Sequence, residues 1–281
     1  MDFLSALRSG SPVFAAELRP PRAELASAEG MDAWIDTYHA VRRLTRAGTY
    51  VFLTDSAVGA AEEDNLRHLV TNLQRDVPRE RIVPFMTSKH SMEYCLSYAE
   101  RARQSGFPAL VVLGGDKSVG TPRCVEHAWE LRQILRAHDP ALALGGWANP
   151  HAAATRQVDF LLEQHFTAEF YLTQVVSHHD LPVVERFLGE TRRRQVALPG
   201  VFGVFYYRSA NPRTLALLKG FLPVPVEGLT QDFAAGATPD EICATTLRAL
   251  VDAGARHFYI SNLPVARAQQ VLSAILERAG L

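Results

Sequence analysis

Eight short apolar runs, each followed by a segment of helix length, recur along the whole chain. This alternation constrains the fold more than any other feature of the sequence. The runs at 13–16, 50–54, 82–86, 109–113, 141–144, 169–173, 201–206 and 257–260 are rich in β-branched and aromatic residues. They show little polar alternation, as strands buried on both faces require. Between them, 31–46 sets Trp34, Ile35, Tyr38, Val41 and Leu44 at helical spacing and stops at Gly48, while 62–75 carries Leu66, Leu69, Val70 and Leu73 on one face. The segments 91–105, 123–137, 152–165, 181–193, 239–253 and 264–279 have the same character. Eight such units predict a (β/α)8 TIM barrel, one α/β domain over residues 1–281. A doubly wound open sheet would want a Gly-rich turn after the first strand, and Pro20-Pro21 stands there instead. The longest irregular stretch, 221–238, reads as an insertion in the last units.

Charge and composition remove several classes of function. With 29 basic and 30 acidic residues, the net charge of −1 offers no basic excess for nucleic acid or an acidic membrane face. The N-terminus carries Asp2 early and no long apolar run, and no segment is apolar enough to span a bilayer, so neither a signal peptide nor a membrane anchor is expected. Three widely spaced cysteines, Cys95, Cys124 and Cys243, make no CxxC pattern and point to a reducing cytoplasm. Nothing in the sequence fixes an oligomeric state.

In a barrel of this kind the site lies at the C-terminal ends of the strands. Those ends offer Glu17, then Thr54 and Asp55, Thr87 to His90, Asp116 and Lys117, Trp147 and Asn149, Thr173 and Gln174, Tyr206 to Arg208, and Ser261 with Asn262. A surface Glu at a strand end, paired with Arg19 or Arg22, is the ordinary reading of Glu17 taken alone. Three polar groups, Glu17, Asp116 and Gln174, aimed at one mouth fit a binding site better. His178-His179-Asp180 reads as a loop and helix start with Asp180 near the N-cap, in preference to a metal cluster, and no metal site is expected. Gly114-Gly115 is a weak phosphate signal and His90 a weak candidate base. The cysteines, Trp34 and Trp129 read as packing residues.

Taken together these residues resemble the methylenetetrahydrofolate reductase family. AELRPPR (16–22) is similar to its E-F-F-P-P-R/K segment and places Glu17 at the family's catalytic acid. LTDSA and FMTS stand where the family has T-Y-G and H-L-T-C, with Thr54 and Thr87 retained. VVLGGD places Asp116 at the active-site aspartate, and FYLTQ places Gln174 at the glutamine that contacts folate and nicotinamide. PGVFGV (199–204) and DAGARHFYISN (252–262) resemble the segments around the last two strands.

The resemblance implies reduction of 5,10-methylenetetrahydrofolate to 5-methyltetrahydrofolate. Glu17 and Asp116 would be catalytic, Gln174, Thr54, Thr87 and Tyr206 would bind substrate, and Gln174, Trp147 and Asn149 would bind the cofactor. The departures fall on the flavin. Phe85 replaces the histidine of H-L-T-C, Gly146-Trp147-Ala148-Asn149 replaces a tyrosine region, and Arg156, Leu162 and Glu163 stand at an aspartate and a basic pair. Leu263 also replaces an arginine of the last strand, with Arg267 one turn on. A flavin pyrophosphate needs positive charge or free N–H groups, so bound FAD is in doubt. The pattern resembles the flavin-independent branch, in which NADH gives hydride directly to the folate, with NADPH as the other donor. A conventional FAD enzyme of the same family, and a non-redox folate-dependent methyl-transfer or binding protein on the same fold, remain the alternatives.

Overall fold

The computed structural model describes residues 1–21, 27–55 and 77–281. Eight parallel strands close into a barrel in sequence order: β1 (Val13–Leu18), β2 (Tyr50–Leu53), β3 (Ile82–Thr87), β4 (Ala109–Leu113), β5 (Ala143–Ala148), β6 (Phe170–Val176), β7 (Gly200–Phe205) and β8 (His257–Ser261). Closure is made by β1 on β8, with Val13 opposite His257 and Ala16 opposite Ile260, which removes the open-sheet alternative. The helices α1 (Phe3–Arg8), α2 (Ser27–Arg46), α3 (Met92–Gln104), α4 (Ala128–His138), α5 (Ala154–Leu162), α6 (Leu181–Arg193), α7 (Pro212–Lys219), α8 (Val226–Ala234), α9 (Pro239–Asp252) and α10 (Ala268–Ala279) complete the described chain. The expected helix at 62–75 lies outside the described residues.

Strand side chains alternate between two apolar shells. Val13, Ala15, Phe52, Val83, Phe85, Val111, Phe170, Leu172, Val201 and Tyr259 fill the barrel interior. Ala16, Leu18, Val51, Leu53, Met86, Val112, Leu144, Phe202, Val204 and Ile260 face the helices. The sequence reading missed α1, which plugs the N-terminal end. Phe3 is fully buried and meets Tyr50, Phe52 and Phe170 edge-on at 5.1–5.3 Å between ring centroids. Six residues give too short a periodic signal to stand out.

Other differences have local causes. Gly145-Gly146-Trp147 was expected to end β5 but lies within it, because a Cβ at Gly145 would overlap the Phe170 ring and one at Gly146 the Phe166 ring. The glycines mark close packing and not a turn. The 221–238 stretch contains α8, which packs Leu229 with Tyr207, Leu215, Val224 and Ile242 in a small cluster of its own. The helix expected from 123 begins only at Ala128, where Glu130 reaches back to the His127 N–H. Capping residues set other helix ends: α3 starts after Ser91, whose side chain accepts from the Tyr94 N–H, and α9 opens on a Thr238–Glu241 capping box and closes before Gly254 at φ +100°.

Candidate functional site at the C-terminal mouth

The inward alternation determines which groups can meet. On β1 the inward positions are Val13 and Ala15, so the next is Glu17; on β8 they are His257 and Tyr259, so the next is Ser261. The two are joined across the closure, the Ser261 hydroxyl donating to Glu17 Oε1 at 2.6 Å. No described residue donates to Oε2. Beneath them Tyr259 is buried and donates its hydroxyl to the Thr173 carbonyl at 2.7 Å. A Cβ at Gly203 would overlap the Tyr259 ring, so a glycine on β7 makes room for it. Burial raises the Glu17 carboxyl above its ordinary value, and the Ser261 hydroxyl draws it part of the way back. Glu17 is thus a half-buried acid at the barrel mouth with one oxygen held by Ser261.

Gln174 stands across the barrel on β6. The β6–β7 register runs Leu172 to Val201 and then Val175 to Gly203, so a bulge falls at Thr173 and Gln174. Such bulges re-aim side chains at barrel rims. The Gln174 carbonyl Oε1 accepts from the Val175 N–H at 2.9 Å, which leaves its NH2 group for other partners. Thr173 is buried and accepts from the Gly203 N–H at 3.1 Å.

Asp116 follows β4 in a tight turn. Its Oδ1 accepts from the Ser118 N–H at 2.8 Å, the Ser118 hydroxyl at 2.9 Å and the Val119 N–H at 3.2 Å. These bonds, led by the Ser118 N–H, hold its carboxyl below its ordinary value, and Lys89 adds to the effect. Lys89 is itself buried and ties the same loop through the Val119 and Thr121 carbonyls, each at 2.7 Å. Glu17, Asp116 and Gln174 occupy one end of the barrel and share no direct hydrogen bond.

The remaining expected residues divide. Trp147 lies half-buried against the interior cluster. Asn149, just past β5, is part of a turn, with its N–H donating to Gln157 and its Oδ1 accepting from the His151 N–H. Thr54 donates to the Leu18 carbonyl. Thr87 gives both its N–H (2.7 Å) and its hydroxyl (3.0 Å) to Asp55, which also pairs with His90 Nε2 at 2.8 Å. Asp55 and His90 therefore organise the ends of β2 and β3, roles that neither residue's type announced. Tyr206 is a correction to the expected substrate contacts. It continues the outward series Phe202, Val204, packs in the outer shell and donates to Asp240 on α9 at 2.7 Å. Ser261 was visible as a strand-end residue, and counting inward positions from His257 would have singled it out.

A cleft of about 200 Å³ opens beside β7 and β8, lined by Phe205, Tyr207, Arg208, Thr214, Leu215 and Asn262. Asp180 sits at the start of α6 without a side-chain capping bond. The two histidines before it turn instead toward Asp232 of α8.

The fold and mouth define a (β/α)8 barrel with a half-buried acid at its C-terminal end. No family model and no curated protein matches the chain. Among solved structures it is similar to an uncharacterized protein from Clostridium thermocellum that binds two copies of 5-methyl-5,6,7,8-tetrahydrofolic acid. The match covers 99% of this chain and 100% of that one, with a TM-score of 0.71 and 16% identity, and establishes the shared fold.

Proposed function

We propose that the mouth binds a reduced folate and that the protein is a 5,10-methylenetetrahydrofolate reductase taking hydride directly from NADH, or from NADPH. The observation that carries this reading is Glu17, a half-buried carboxyl with a raised pKa and only one oxygen hydrogen-bonded, at the C-terminal end of the barrel. The full-length similarity to a barrel that binds 5-methyltetrahydrofolate supports the choice of ligand class.

The methylene carbon bridges N5 and N10 of the folate and accepts hydride poorly until the ring opens to the N5-iminium cation. Opening requires a proton at N10. Glu17 supplies it from Oε2, directly or through one water, while Ser261 fixes the other oxygen. Asp116, kept ionised by the Ser118 and Val119 donors, stabilises the cation and holds the pterin edge. Gln174 offers its NH2 group to the pterin and the nicotinamide carboxamide. Stacking donor and acceptor carbons at about 3–3.5 Å does much of the remaining work.

A resident flavin does not fit the residues present. Leu162 is 43% exposed and apolar, Glu163 carries the wrong charge and is paired with His165 at 2.7 Å, and Arg156 lies over Phe160 at 5.5 Å. The test is the visible spectrum of the purified protein, followed by NADH oxidation with methylenetetrahydrofolate and no added flavin. A colourless protein oxidising NADH only with the folate, with sequential kinetics, is expected. A flavin band with ping-pong kinetics overturns direct transfer. A non-redox folate-binding or methyl-transfer role is the second reading, favoured by the methylated folate in the similar structure. Folate binding without NADH oxidation would select it.

A further inference from the structure

His178 and His179 follow β6, and Asp232 lies 53 residues beyond His179 on α8. Their donor atoms converge: His179 Nε2 is 2.8 Å and His178 Nε2 is 3.4 Å from Asp232 Oδ2, and all the donor atoms lie within 4.8 Å of one another. The imidazole rings are 3.9 Å apart between centroids. All three side chains are largely withdrawn from solvent, at 17%, 22% and 26% exposure.

The hydrogen bonds around His178 assign its proton. Thr246 has one hydroxyl hydrogen, and its position on α9 gives that hydrogen to the Ile242 carbonyl at 3.1 Å. The Thr246 oxygen then accepts from His178 Nδ1–H at 2.8 Å. Nε2 of His178 is then the nitrogen turned to Asp232 Oδ2 at 3.4 Å, placed so that a metal ion can lie between them. Tetrahedral zinc, with bonds of about 2.0–2.2 Å to nitrogen and oxygen, places its ligand atoms about 3.3 Å apart. The 3.4 Å separation of His178 Nε2 from Asp232 Oδ2 matches such an edge, the 2.8 Å hydrogen bond of His179 would lengthen by about half an ångström on binding, and Thr246 is the kind of outer partner that fixes a metal-binding histidine's tautomer. His179 is seated against Gly228, where a Cβ would overlap its ring, so the backbone of α8 is fitted to this rotamer.

We propose that His178, His179 and Asp232 form a zinc site that staples the loop after β6 to α8 and leaves a fourth position for water or an anionic ligand. The donors are two imidazole nitrogens and one carboxylate oxygen, a set suited to zinc over magnesium or calcium. The site uses none of Glu17, Asp116 or Gln174 and stands independently of the folate reading.

The test is titration of the untagged full chain, stripped with chelator, with cobalt(II) and then zinc. One equivalent of cobalt should give the visible bands of a four-coordinate ion, and zinc should displace it one for one. His179→Ala and Asp232→Ala, checked for folding by far-UV circular dichroism, should each abolish the bands. Thr246→Val, which keeps the shape of the side chain, should weaken binding about 10- to 100-fold with the coordination spectrum unchanged. Absence of stoichiometric zinc at micromolar free metal overturns the proposal. So do cobalt bands that survive in both ligand variants, because the metal then sits elsewhere.

Discussion

The two ends of the barrel are built from the same eight strands with the same inward alternation, yet one is dry and the other polar. At the N-terminal end Phe3 enters from α1 and joins Tyr50, Phe52 and Phe170 in an aromatic plug. His257 is buried there, and burial holds its imidazole down at about 4, so it is neutral. Four positions along β1 and β8, the inward residues become Glu17 and Ser261. A half-buried carboxyl is tolerated at the second end because it is hydrogen-bonded to Ser261, whereas the inward positions at the first end are filled by apolar and aromatic side chains and a neutral imidazole. The lesson is that one strand register can carry stability at one end and chemistry at the other, with little overlap between the residues responsible.

The sharpest way to break that division is Glu17→Gln. It keeps size and leaves an acceptor for Ser261, so the fold should persist while NADH oxidation falls at least about 100-fold. Near-normal turnover would remove the acid assignment. The same variant has a stability signature. A carboxyl whose pKa is raised by folding binds more protons folded than unfolded, so its contribution is fully present below about pH 4.5 and is lost as pH rises through the folded value. Glu17→Gln should therefore melt higher than wild type at pH 8 and no higher at pH 4, read by thermal denaturation.

Phe3→Ala acts on the opposite end. Removing a fully buried aromatic ring should destabilise the chain by about 3–5 kcal/mol in urea unfolding, with turnover per folded molecule unchanged within about twofold. A large loss of turnover in the folded variant would mean the two ends are coupled.

Gly203→Ala lies between them. Its methyl would meet the Tyr259 ring, one layer below Glu17, and overpacking of this kind costs about 1–3 kcal/mol. Because Tyr259 supports the Glu17 layer, activity should fall along with stability, unlike in Phe3→Ala. The smallest effect is expected from Ser261→Ala, which removes a bond that favours the charged carboxylate. The alkaline limb of the pH–rate profile should move to higher pH, with the maximal rate changed less than about tenfold.

Periodicity made the architecture legible. The eight apolar runs and their flanking helices are local signals, and so is Gly48 where the 31–46 helix stops. The presence of Glu17, Asp116 and Gln174 at strand ends was also legible. What the neighbours do to these residues was not. Thr87 looked available and is committed to Asp55; Tyr206 looked like a mouth residue and faces α9; the fifth strand looked finished at residue 144 and runs on through two glycines packed under Phe166 and Phe170.

By itself the sequence determined the number and order of the strand–helix units and the chemical types at the strand ends. Only the tertiary structure decided the partners. Closure of β1 on β8 brings Ser261 to Glu17 across 244 residues, a bulge places Gln174, and the docking of α8 brings Asp232 to His178 and His179. A period of two or 3.6 residues encodes which face a side chain takes, because that follows from local backbone geometry. Contacts made by closing a sheet or docking a helix join residues remote in the chain, and no local pattern records them.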